Sequence, residues 1–216
     1  MAAKGTDARE LQDRWRDAEF VASVRPTLDD VFVRKTASAT VDLRGVVVGL
    51  DGALPGLVGA DLQGVHLRGV DFSFARLSCS MVRGCFDGCL FHSAIFDTCR
   101  MTAARFVESW FDEATLDSPW MDDAVFHRCS FAGGRLSGRG MREFGGRRAL
   151  FEDCDFTGAK LKNMAFRACR FINCRFEGAV FVRCMLVGVK FENGSPARGA
   201  LSGCDLQRVT VDGGDL

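Results

Sequence analysis

Large apolar side chains recur at every fifth position over most of this chain. Stepping by five from Met81 to Leu216 meets Phe86, Phe91, Phe96, Met101 and so on, and 26 of these 28 positions carry a large apolar residue, with Gly146 and Pro196 the exceptions. The position two residues earlier is small in 22 of the 28: nine Cys, seven Ala, five Gly and one Ser. Of the 35 charged residues from Cys79 onward, 34 fall in the other three columns and only Arg139 sits in an inward one. A helix repeats near 3.6 residues and a strand at 2, so two inward positions in every five describe neither. A sustained short period predicts a solenoid, in which each repeat buries its inward side chains against the next coil.

The number of repeats per coil follows from a second period. Met81, Met101, Met121 and Met141 recur every twenty residues, as do Phe91, Phe111, Phe131, Phe151, Phe171 and Phe191. Four repeats per coil align both columns, whereas three would scramble them. With coils about 4.8 Å apart, residues 57–216 predict roughly eight coils and a rod nearly 40 Å long.

Interruptions are visible against this frame. Leu57, Leu62, Leu67, Phe72 and Leu77 form a ladder one residue out of step with Met81, so one residue is missing near Ser78. Residues 41–48 resemble earlier repeats, and the Gly- and Pro-containing stretch 49–56 predicts a loop. In 139–148, Arg139 and Phe144 occupy small-residue slots and Gly146 a core slot. That segment is either a distorted, continuous pair of repeats or a ten-residue surface loop. Residues 194–199 predict a tolerated turn. The first forty residues differ in kind: Thr6 or Asp7 is placed to cap a helix running to about Ser23, with Leu11, Trp15, Ala18 and Val21 or Ala22 on the face that covers the first coil.

The residues that carry the pattern include AlaAspLeuGlnGly at 60–64, AlaIlePheAspThr at 94–98, CysAspPheThrGly at 154–158 and AlaLysLeuLysAsn at 159–163. They resemble the A(D/N)LXX motif of the pentapeptide-repeat family. The resemblance implies an all-β solenoid, a right-handed quadrilateral β-helix spanning 41–216 behind a helical capping segment at 1–40. It also implies that loops extruded from the rod carry partner contacts. Family members often dimerise through a C-terminal helix, and no such segment follows the last repeat here, so the expectation is a monomer or an end-to-end homodimer formed on an open last coil.

Composition narrows the chemistry. The 28 basic and 28 acidic residues balance, so no global field draws the protein to nucleic acid or an anionic membrane. The N-terminus lacks the apolar core of a signal peptide and no run approaches a membrane span, which makes the cytoplasm the expected location. Nine of the ten Cys, all except Cys85, occupy the small inward column, so packing accounts for them and Cys85 is the expected reactive thiol. The three His, at 66, 92 and 127, lie on different coils. No phosphate-binding loop or nucleophile elbow is present, and no cofactor, metal or catalytic residue is assigned.

The candidate partner contacts are therefore surface residues. Arg139, Arg142, Glu143, Phe144, Arg147 and Arg148 come from the 139–148 break, Trp110 and Trp120 from outward columns on opposite faces, and Asp112/Glu113 and Glu152/Asp153 from adjacent carboxylate pairs. Counted by face on a strict twenty-residue coil, two adjacent sides are net +7 and the other two net −6. These features predict a non-enzymatic, rigid protein-binding scaffold. The family supplies an alternative: an interactor of DNA gyrase or topoisomerase IV that mimics duplex DNA and protects against gyrase inhibitors. A DNA mimic is expected to be acidic, whereas this chain is neutral.

Overall fold

The computed structural model describes residues 8–37, 40–139 and 144–215. They form a parallel β-solenoid preceded by a short helical segment. Each coil has four sides, named here by one core residue on each: the Met81, Phe86, Phe91 and Phe96 faces, in chain order. Three-residue strands line the Phe86 and Phe96 faces, where they build a 10-stranded and an 8-stranded sheet. On the other two faces, between residues 71 and 145, coils are joined by single bridges such as Leu90 to Trp110 and Arg100 to Trp120. Seven coils are complete, from Leu62–Leu77 to Leu186–Leu201, with a partial coil at each end. The eight expected from Leu57 onward fall to seven because the loop that begins at Gly49, where Gly49 N donates to Leu57 O, runs on to about residue 61, and a further stretch leaves the coil near residue 140.

Inward residues do what the five-residue pattern requires. Phe86, Phe91, Phe96, Phe106, Phe111 and their successors are buried, and rings on one face stack at 4.7–5.4 Å from coil to coil. The corner after most core residues turns through a left-handed backbone conformation. Non-glycine residues accept it at many corners, among them Arg83 (φ 56°), Thr98 (φ 53°), Ala103 (φ 54°) and Asn163 (φ 54°). Such a conformation costs an L-residue roughly 1–2 kcal/mol, and the coil-to-coil hydrogen bonds on both sides hold it in place.

The twenty-residue columns do not continue past residue 138. Coils above and below that point are offset by 25 residues: Val125–His127 pairs with Leu150–Glu152, Leu136 with Leu161, and Trp120 bridges Gly145. One pentapeptide has left the coil. Because the insert is five residues long, the inside/outside phase survives, but every later side chain moves round by one face. The single Phe column expected from Phe91 to Phe191 is thus two columns on adjacent faces. One stacks Phe91, Phe111, Phe131, Phe156 and Phe176; the other stacks Phe86, Phe106, Phe126, Phe151, Phe171 and Phe191. Gly146, not Met141, follows Met121 in the core, and Met141 lies outside the described residues.

The N-terminal helix is also broken where one continuous run is expected. α1 (Ala8–Asp13) passes through a 3-10 turn at Arg14–Arg16 and stops at Asp17, whose extended backbone and side chain cap α2 (Ala18–Leu28) by accepting from Glu19 N and Phe20 N. Leu11, Trp15 and Leu28 are buried, while Ala18 faces solvent, because the break reorients α2. Thr6 and Asp7 lie outside the described residues. The segment is fastened to the partial first coil by Trp15 Nε1 donating to Arg44 O (2.8 Å) and by Arg14 gripping both oxygens of Asp42 (2.7 and 3.0 Å). Burial alone would raise the Asp42 carboxyl, but hydrogen bonds from Arg14 and Arg44 outweigh it and hold the group well below the ordinary range.

Candidate binding face

The insert is anchored on both flanks by arginines that reach back to earlier coils. On the incoming side, Arg139 donates from Nη2 to Asp117 (2.9 Å) and Asp97 (3.1 Å), two carboxylates stacked on the Phe96 face. On the outgoing side, Arg148 grips Asp123 through Nε and Nη2, both at 2.7 Å. These hydrogen bonds raise both guanidinium groups above their ordinary values. Two of the basic candidates are thereby neutralised within the protein and act as clamps. Arg142 and Glu143 lie outside the described residues.

Between the clamps the chain rejoins the coil through Gly145–Arg147, which pairs with Ala165–Arg167. Of residues 139–148, read from sequence as either a distorted pair of repeats or a surface loop, Gly145–Arg147 are strand. Gly145 (φ 138°) must be glycine, because a Cβ there would lie 2.1 Å from Ala165 O. Phe144 does not enter the small inward slot; its ring meets Trp120 edge-on at 5.5 Å. A hollow of about 230 Å³ here is lined by Trp120, Asp122, Gly146, Arg147, Ala165 and Arg167. Trp120 is 42% exposed beside it. Asp122 accepts from the Arg147 backbone N–H at 2.8 Å, and the Arg147 guanidinium has no ion pair among the described residues.

The structure brings together Trp120, Phe144, Arg147 and the clamp Arg148 on the Met81 face, with Arg139 at its border. It keeps Trp110, Asp112 and Glu113 on the opposite Phe91 face, and Glu152 and Asp153 on the Phe86 face. Trp110 is 54% exposed above Leu90. Asp112 accepts from Ser130 Oγ and from Ala132 N, Glu113 from Ser93 Oγ. Glu152 lies 3.2 Å from His127 Nδ1, and Asp153 accepts from Asn173. Sequence reasoning overlooked Gly145, Ala165 and Arg167, although Gly146 in a column of large residues was already a visible signal of missing bulk. Among the described residues no group of three or more His, Cys, Asp or Glu is arranged to hold a metal ion.

The insert also regroups the surface charge. From Cys79 to Asp212, with the insert set aside, the Met81 and Phe96 faces together carry ten basic and five acidic residues, and the Phe86 and Phe91 faces six basic and ten acidic. The basic side thus pairs the Met81 face with the face before it, not with the Phe86 face as a strict twenty-residue coil implies.

Two family models match the chain: pentapeptide repeats (8 copies) over residues 57–92 and a pentapeptide repeat region over 147–216. Both matched stretches are pentapeptide repeats. The stretch between the two matches holds the insert. Among solved structures, this chain is similar to full-length QnrB1, a plasmid-mediated fluoroquinolone resistance protein, at 15% identity over 82% of this chain and 93% of that one, with a TM-score of 0.48. It is also similar to HetL, a pentapeptide-repeat protein involved in heterocyst differentiation regulation from the cyanobacterium Nostoc sp. strain PCC 7120, at 12% identity over 79% and 86%, with a TM-score of 0.29. No curated protein matches the chain. No helix among its described residues is long and apolar enough to cross a membrane.

Proposed function

We propose that this repeat protein is a non-enzymatic cytoplasmic scaffold that binds a protein surface at the Met81 face. The observation that carries the reading is the hollow beside Trp120. An exposed indole packed edge-on by Phe144, and Arg147, which has no ion pair among the described residues, border a depression lined by Gly146, in a segment flanked by two arginine clamps. Buried-rim Trp and Arg are the side chains that most often dominate protein interfaces, and a site fixed before binding loses little entropy on docking. Affinity capture from native host extract tests the reading. Wild type is expected to retain a partner that the double variant Trp120→Ala, Arg147→Glu loses and that Lys190→Ala, on the Phe86 face, keeps. Equal capture by all three would count against the hollow.

The acidic side supports a second reading. The contiguous Phe86 and Phe91 faces present a negative surface to a DNA-binding protein such as DNA gyrase or topoisomerase IV. A supercoiling assay with and without a quinolone decides it: inhibition or rescue by the wild type supports this reading, and the absence of both removes it.

A further inference from the structure

The two exposed tryptophans lie on opposite faces whose charges are complementary. On the Phe91 face Trp110 projects beside Asp112, which has no cationic partner among the described residues. On the Met81 face the hollow is lined by Gly146 and Arg147, and Gly145 next to them carries no side chain. Trp110 and Asp112 flank the core residue Phe111 as Gly145 and Arg147 flank Gly146, so the spacing from knob to acid equals the spacing from Gly145 to base. Strands are also spaced alike along the two faces, at about 4.8 Å per coil.

Chain direction fixes how these faces can meet. Strands on opposite sides of a solenoid run in opposite directions, so two rods laid side by side present parallel strand lines to each other only when their axes are antiparallel. In that arrangement Trp110 of one copy sits over Gly145 of the other while Asp112 meets Arg147. Moving one coil along brings Ser130 opposite Trp120, and the next brings Asp155 opposite Arg100. No like charges oppose each other over these three coils.

We propose that a second copy of this chain occupies the hollow, with the Phe91 face of one rod docked on the Met81 face of the next. The inference rests on the hollow being a binding site and names its occupant. Each copy carries one knob face and one hollow face, so the contact is heterologous and adds copies one after another without closing.

Sedimentation velocity tests this with the intact chain. At low salt the weight-average mass of wild type is expected at least to double over about a hundredfold rise in concentration, and to return to the monomer near 1 M salt, where the Debye length is only about 3 Å. Trp110→Arg and Arg147→Glu, both at exposed positions, should each be monomeric with unchanged circular dichroism. Mixed together they should form a 1:1 dimer and nothing larger, because the intact hollow of the first meets the intact knob of the second. A wild type that stays monomeric, or a mixture that does, overturns the second copy as occupant. If capture of a different host partner is still lost in the Trp120→Ala, Arg147→Glu variant, the hollow remains a binding site and only its occupant changes.

Discussion

Arg148 binds Asp123 through two parallel hydrogen bonds, Nε and Nη2 each 2.7 Å from a carboxylate oxygen, and so ties the chain leaving the insert to the coil before it. The pair is exposed, so its effect on global stability is small. Its effect on the insert is local: without it the strand that re-enters at Gly145 loses its outer anchor.

Arg148→Ala is therefore expected to speed tryptic cleavage within 139–144 several-fold while the melting temperature hardly moves, read by limited proteolysis and mass spectrometry. The hydrogen bond from Arg148 lowers the Asp123 carboxyl. A depressed carboxylate stabilises the folded form above its unfolded value and loses that contribution as pH falls through the folded one. The clamp should accordingly persist at neutral pH and open only below about pH 4.

Phe111 stacks between Phe91 and Phe131, 4.9 Å from each ring. Phe111→Ala should cost about 3–5 kcal/mol in denaturant unfolding, since the rigid coils above and below cannot collapse into the space. Phe111→Leu should cost about 1.5 kcal/mol or less.

Thr98 holds φ 53°, a left-handed corner that a β-branched side chain resists. Thr98→Gly should shift the denaturation midpoint upward, by no more than about 1 kcal/mol, because relief of strain is partly offset by the freedom glycine gains when unfolded. Gly178, at an equivalent corner with φ 67°, should respond in the opposite sense to valine.

The cysteines divide by reactivity. Seven are buried, and Cys79, Cys85 and Cys204 are partly exposed. A hydrogen bond from the Cys184 thiol outweighs partial burial and pulls Cys204 down to about 7, while the same contact pushes Cys184 up. Cys79 is raised well above its ordinary value by its hydrogen bond with Cys99 and by burial. Thiol labelling of the native protein should modify Cys204 ahead of Cys85, with the Cys204 rate rising as pH climbs through about 7 and levelling above it. The buried seven should react only after unfolding.

The contrast between what the sequence showed and what it hid has one physical origin. Burial is a property of position within the pentapeptide, so the alternation that puts Phe86 and Cys89 inside and Arg83 and Asp87 outside is written directly in residue type. Face identity depends on counting whole coils, and a five-residue insert leaves the alternation intact while turning Phe151 from the Phe131 column to the Phe126 column. The corner conformation was hidden for a different reason: Thr98, Ala103 and Arg83 carry no glycine signal, and coil-to-coil hydrogen bonds impose their backbone geometry. Trp120, Phe144 and Arg147 were legible as candidates, but the hollow that joins them depends on the turned register and could not be placed before it.

That register also brings Trp120 against Gly145, so the binding face stands or falls with it. Coupling across hydrogen bonds, measured by NMR between backbone nitrogen and carbonyl carbon, tests it most directly. In the turned register the Ala124 carbonyl accepts from Leu150 N at 2.9 Å. A coupling between Leu150 nitrogen and the Ala124 carbonyl carbon is the result this account predicts, whereas a coupling from Gly145 nitrogen to that carbonyl would mean an uninterrupted twenty-residue coil and would contradict it.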